Sequence, residues 1–194
     1  EFVRQLVQAL PVPVTCKIRL GWDDTTRNYL QVAHILEESG AAAISVHGRT
    51  KQQGYSGVAD WRAIGEVAAR ARIPVLANGD VRSVADIDAI KAQTGCVAVL
   101  IGRGAVGNPW LFQRRDLAEV PWAERLALIR RHLAEMQDYY GEEQGLILFR
   151  KHVVKYVQTL QGANALRPLL VKAPTAEALL AILEKGVEAD VHAG

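Results

Sequence analysis

Cysteine is nearly absent from this 194-residue sequence: there are two, Cys16 and Cys96, too few for a disulfide framework and without metal-ligand spacing. That usage points to a reducing, cytoplasmic setting and to no bound metal. No apolar run reaches the length of a membrane span and no signal peptide is recognisable, so no membrane partner is expected. Charge of one sign is also missing, since the formal net charge is only +2. A glycine-rich dinucleotide fingerprint following a first strand does not occur, nor do repeats or low-complexity segments. What is present, 49% hydrophobic and 23% charged residues, suits a chain that buries a core.

Short β-branched runs alternate with helical patterns over the first half. "PVTCKIRL", "AAISVHG", "IPVLANGD" and "CVAVLIGRG" read as strands, separated by helices near Arg27 to Glu38, Asp60 to Arg70 and Ser83 to Lys91. Strand and helix in strict alternation predict a parallel sheet covered by helices. The strand exits fall near positions 17, 47, 78 and 102, close to the ~31 residues per unit of an eightfold barrel of about 250 residues. The expected fold class is therefore α/β: the C-terminal half of a TIM-type (β/α)8 barrel, over residues 1–118. From Trp122 the pattern is purely helical, with Gly141, Gly145, Gly162 and Pro174 as punctuation and Thr175 as an N-cap. Residues 119–194 are read as an all-helical domain.

Side chains alternate across a strand, so Lys17 and Arg19 share one face, as do Ser45, His47 and Arg49 on the next. Burying such groups unpaired among apolar helices would cost several kcal/mol each, about the penalty for an unpaired ion. They are expected to line a polar cavity at the C-terminal mouth of the strands. The next two strand ends, "ANGDVRS" and "IGRGAVGNP", place Gly79, Gly102 and Gly104 directly after a strand, where backbone N–H groups can approach a phosphate. A single such turn is ordinary. Two adjacent ones, with Arg103 and facing Lys17 and His47, favour a phosphorylated cofactor.

The motifs "KIRLGWDD", "SVHGRTKQQGYSGVADW", "PVLANGD", "LIGRGAVGNPWLF" and "FRKHVVKY", in this order and spanning almost the whole chain, resemble the tRNA-dihydrouridine synthases, nearest to their bacterial B type. The resemblance implies an FMN-binding barrel with a helical domain that reduces the C5–C6 bond of uridines in tRNA with NADPH. It implies that Lys17 contacts the flavin pyrimidine ring, that His47 holds the flavin, and that Asn78, Gly79, Asp80, Gly102 and Arg103 bind its phosphate and ribityl part. Arg19 and Arg49 would face the uracil. The family's acid is a cysteine in an "N-x-G-C-P"-like motif upstream of the Lys17 strand, and that motif does not occur here. Cys16 and Cys96 read as structural, so no catalytic residue is assigned and the chain is expected to be an inactive fragment of a longer enzyme. An open half-barrel is also expected to self-associate.

Residues 119–194 hold nine Lys or Arg and ten Asp or Glu, so any tRNA-binding patch must be local rather than global. The basic side chains do cluster, as Arg130, Arg131 and His132, and as Arg150, Lys151, His152 and Lys155. With the resemblance, Arg131, Lys151 and Lys155 become RNA-backbone candidates; without it they read as a solvated face. Trp22, Trp61 and Trp110 read as packing residues. Two other functions fit parts of the sequence: a different FMN barrel oxidoreductase acting on a small molecule, and a non-catalytic RNA-binding module.

Overall fold

Four parallel strands lie in the order β1-β2-β3-β4 in a computed structural model that describes residues 1–191. The elements run α1 (Phe2–Ala9), β1 (Thr15–Arg19), α2 (Tyr29–Glu38), β2 (Ala43–His47), α3 (Trp61–Ala68), β3 (Val75–Asn78), α4 (Val84–Thr94) and β4 (Ala98–Leu100). Every strand pairs with the next in sequence, the arrangement that successive right-handed crossovers produce. Two of the three crossover helices, α3 and α4, are started by side chains: Asp60 accepts from the Ala63 N–H at 3.0 Å, and Ser83 and Asp86 form a capping box on α4.

One face of the sheet is packed and the other is not. Ile44, Val46, Val75 and Ala77 point toward α3 and α4 and are buried with Ala63, Ile64, Val67, Ile87 and Ile90. Each fully buried aliphatic side chain of this kind contributes about 1.5–3 kcal/mol. On the other face Lys17, Ser45, Leu76 and Ala98 are only partly covered or exposed, although His47 at the end of β2 is buried. Cys16 sits half-buried on the packed side and Cys96 is buried in the core.

The chain divides into two units, Glu1–Gly104 and the residues from Ala105 onward. The second is helical: two short 3-10 turns, Pro109–Gln113 and Leu117–Glu119, precede α5 (Trp122–Tyr140), α6 (Glu142–Tyr156), α7 (Ala163–Lys172) and α8 (Ala176–Val191). Its core joins Ile129 and Leu133 of α5 to Phe149 and Val153 of α6, Leu170 of α7 and Leu179 and Leu183 of α8. Buried Arg125 donates to the carbonyls of Leu117 and Val120 and to the Thr159 hydroxyl, so its charge is hydrogen-bonded throughout. Thr175 does cap α8, accepting from the Ala178 N–H at 3.2 Å.

Gly145, by contrast, is not punctuation. It lies inside α6, and a Cβ there would come within 2.5 Å of the Met136 carbonyl oxygen, so the missing side chain is what lets α5 and α6 approach. Trp22 also departs from the sequence reading, being 63% exposed rather than packed. Among the described residues no helix is long and apolar enough to cross a membrane.

Candidate functional site

Register sets the floor of the site. Arg19, His47, Asn78 and Leu100 are paired one to the next across all four strands, at their C-terminal ends. They share the face opposite the hydrophobic core, and Lys17 lies two residues earlier on that face. A cleft of about 180 Å³ opens there, lined by Lys17, Arg19, His47 and Asn78 and by the Gly79–Asp80 and Gly102–Gly104 turns. The structure thus brings together Lys17, Arg19, His47, Asn78, Gly79, Asp80, Gly102 and Arg103. Tyr55 and Arg82 also line the cleft, and sequence reasoning misses both. The available signals are an aromatic inside the glycine-flanked stretch "QQGYSG" and a cation just past "NGD".

The two glycine turns have different local reasons. Gly79 has φ +131°, and a Cβ on it would fall 2.7 Å from the Ala59 Cβ and 3.3 Å from His47 Cδ2, so only glycine lets the turn pass under the imidazole. Its carbonyl accepts from the Trp61 indole N–H at 3.0 Å. Gly102 has nothing within 4 Å of a Cβ position, so the backbone faces open space. Between the turns the Asn78 amide donates to the Leu100 carbonyl at 2.8 Å, tying β3 to β4.

His47 is 6% exposed. Burial first, then the positive charges of Arg19, Lys17 and Arg49, push its pKa down to about 4, so it is neutral at pH 7. Lys17 is held below its ordinary value by partial burial and then by Arg19. Burial raises the Asp80 carboxyl, but the Ala59 N–H, the Arg49 guanidinium and the charge of Arg82 together hold it below the usual range. Asp80 itself has φ +57°, a left-handed conformation uncommon outside glycine.

Arg49, unlike Arg19, is set back from the cleft. It is 1% exposed and does not line the cleft. Its Nη2 donates to Asp80 Oδ2 at 2.7 Å and to the Gly57 carbonyl at 2.8 Å, and its Nε donates to the Ser56 carbonyl at 3.3 Å. A buried guanidinium must be paired, and Asp80 is the carboxylate that pairs it; Nε and Nη2 also hold the 50–59 loop, while the buried Nη1 donates to no partner among the described residues. Arg19 remains in the cleft and braces the same loop through the Thr50 carbonyl at 2.9 Å.

In the helical unit the basic clusters separate by partner. Arg130 pairs with Glu184, and Arg131 pairs with Glu135 at 2.7 Å while remaining exposed. His132 meets the Tyr156 hydroxyl at 3.0 Å, and Arg150 donates to the Ala173 carbonyl at 2.8 Å. Lys151 and Lys155 are exposed on α6 one turn apart.

Among the described residues, four cations, Lys17, Arg19, Arg82 and Arg103, thus share a cleft with one carboxylate, Asp80, which Arg49 already neutralises. A parallel βα protein with a cationic, glycine-edged cleft at its strand exits is the class that this geometry defines. The chain belongs to the dihydrouridine synthase family, whose model matches residues 1–190. It is similar to tRNA-dihydrouridine synthase B of Pseudomonas aeruginosa, 42% identical over 175 residues, covering 86% of this chain and 53% of the relative. The probable tRNA-dihydrouridine synthase of Rickettsia conorii is 38% identical over 194 residues, covering 92% and 59%. That of Mycobacterium tuberculosis is 38% identical over 183 residues, covering 90% and 47%. The chain spans about half the length of the curated relatives it matches.

Proposed function

We propose that this chain forms the phosphate-binding side of an FMN-dependent tRNA-dihydrouridine synthase, which reduces the uridine C5–C6 bond with NADPH, and that its sheet is the C-terminal half of a closed barrel. The observation that carries the proposal is the cleft, where cations from three strand exits face two glycine turns. The donor set suits a phosphorylated, anionic flavin: Gly102 leaves its backbone open, and among the described residues the only carboxylate lining the cleft is already paired. Bound FMN supplies the two-electron reduction of the uracil ring.

The remaining roles belong to this chain's residues. The backbone after Gly79 and Gly102, with Arg103, holds the phosphate. Lys17, which lines the cleft, would set its ammonium beside the flavin pyrimidine ring and favour the anionic reduced form there. His47, kept neutral, offers one hydrogen-bond donor and one acceptor without adding charge. Arg19 faces the uracil, while Arg49 and Asp80 hold the loop beside it. Proton delivery to C5 falls to a group outside this set. Neither Cys16 nor Cys96 lines the cleft, and burial pushes the Cys16 thiol pKa up. In the helical unit, Lys151 and Lys155, with Arg131, contact the tRNA backbone.

The chain supplied with FMN, NADPH and unmodified tRNA should bind the flavin yet form no dihydrouridine detectable by mass spectrometry. Multiple-turnover product would show that an acid lies among these residues after all. A failure to bind FMN would remove the flavin reading.

A further inference from the structure

The geometry points to Tyr55 as the residue that positions Arg103 for a phosphate group, an inference that rests on the flavin reading above. Arg103 directly follows Gly102, and its side chain is 55% exposed. A long cation with that freedom loses conformational entropy when an anion fixes it. Two groups already restrain it. Its Cζ lies 4.1 Å from the centroid of the Tyr55 ring, and its Nη2 lies 3.7 Å from Asp80 Oδ1.

These restraints are unequal. Asp80 Oδ2 accepts from Arg49 and from the Ala59 N–H, each at 2.7 Å, whereas Oδ1, the oxygen nearer Arg103, accepts no hydrogen bond among the described residues, and 3.7 Å is beyond hydrogen-bond distance. The Tyr55 ring is therefore the firmer restraint on the guanidinium, which lies over its face. Stacking uses the face of that group and leaves its N–H edges available, whereas a phosphate needs only the edges. Tyr55 can hold Arg103 before and during anion binding without competing for it.

The loop that carries the ring is well fixed, although Tyr55 is 64% exposed. Its loop is closed at the base by the Asp60 N–H on the Gly48 carbonyl at 2.6 Å. Arg49 clamps it at the Ser56 and Gly57 carbonyls, and Gln53 spans its tip to the Ser56 and Val58 carbonyls. A rigid loop that presents an uncovered tyrosine at a cationic cleft has a use if the ring orders a cation.

Titrating the chain with FMN and with riboflavin, followed by flavin fluorescence, tests the assignment. Tyr55→Ala should weaken FMN about two- to fivefold and leave riboflavin, which lacks the phosphate, unchanged. Tyr55→Phe should restore FMN affinity, and Tyr55→Ala should add nothing in an Arg103→Ala background. Equal losses for both flavins, a Phe variant as weak as Ala, or additivity with Arg103→Ala would overturn it. Should the unaltered chain bind neither flavin, the flavin reading fails separately. The positioning claim is then read with inorganic phosphate through the NMR signal of the Arg103 Nε–H. Tyr55→Ala must raise the half-saturating phosphate concentration by the same factor, and an unchanged value overturns the claim.

Discussion

His47 concentrates the electrostatic tension of the cleft in a single side chain. Its pKa near 4 in the folded chain compares with about 6.5 for an unperturbed histidine, so between these pH values the unfolded chain binds a proton that the folded chain does not. Stability that is fully present above about pH 6.5 is lost as pH falls toward 4, by on the order of 3 kcal/mol. Urea unfolding between pH 7 and 4 should show a steeper loss for the unaltered chain than for His47→Gln. Parallel profiles would mean that the imidazole is solvated or paired. That His47 is ionisable and near a strand end is legible in the sequence, but its neutrality is not. Burial in the folded chain enforces it first, and then the charges of Arg19 and Lys17 on the neighbouring strand and of Arg49. Arg49 shows the same limit from the other side. Its partner Asp80 is 31 residues away, and only folding brings the two together.

At the scale of elements, alternation carries most of the information. Strand periodicity puts Lys17 and Arg19 on one face and Cys16 on the other, and the pairing register agrees. Helices are harder. The segment forming α7 contains Pro168, which argues against a helix, but packing of Leu170 into the core outweighs local propensity. Gly145 misleads because, in sequence, a glycine that permits a close helix crossing looks like one that ends a helix. On α6 the i,i+4 spacing of Lys151 and Lys155 does translate into a shared exposed face, with no ion pair to either among the described residues. Replacing both by alanine should weaken tRNA binding and flatten its salt dependence, by about 0.7–0.9 in log–log slope for each phosphate no longer neutralised. Arg131→Ala should do less, because Glu135 already holds that guanidinium. Filter binding across a salt series checks this. An unaltered slope for the lysine pair would remove α6 from the RNA interface.

For the molecule as a whole, strand order and parallel sense follow from the regular recurrence of strand and helix, since short crossovers leave successive strands few other ways to pair. The uncovered sheet face does not follow, because residues such as Ser45 and Leu76 do not by themselves reveal which side the helices take. That face is bounded by edges β1 and β4, which have no further strand among the described residues, and unpaired edges beside an uncovered face lead to the prediction that the chain associates. Sedimentation velocity should show mass rising with concentration, and a monomer at all concentrations would contradict this.

The most direct test of the account is calorimetric titration of the chain with FMN, because the cleft is its central claim. One site per chain is predicted, with Arg103→Ala weakening it by about 1.5–3 kcal/mol through removal of a charge-assisted hydrogen bond to the phosphate. No binding, or an Arg103→Ala variant that binds FMN as tightly as the unaltered chain, would contradict it.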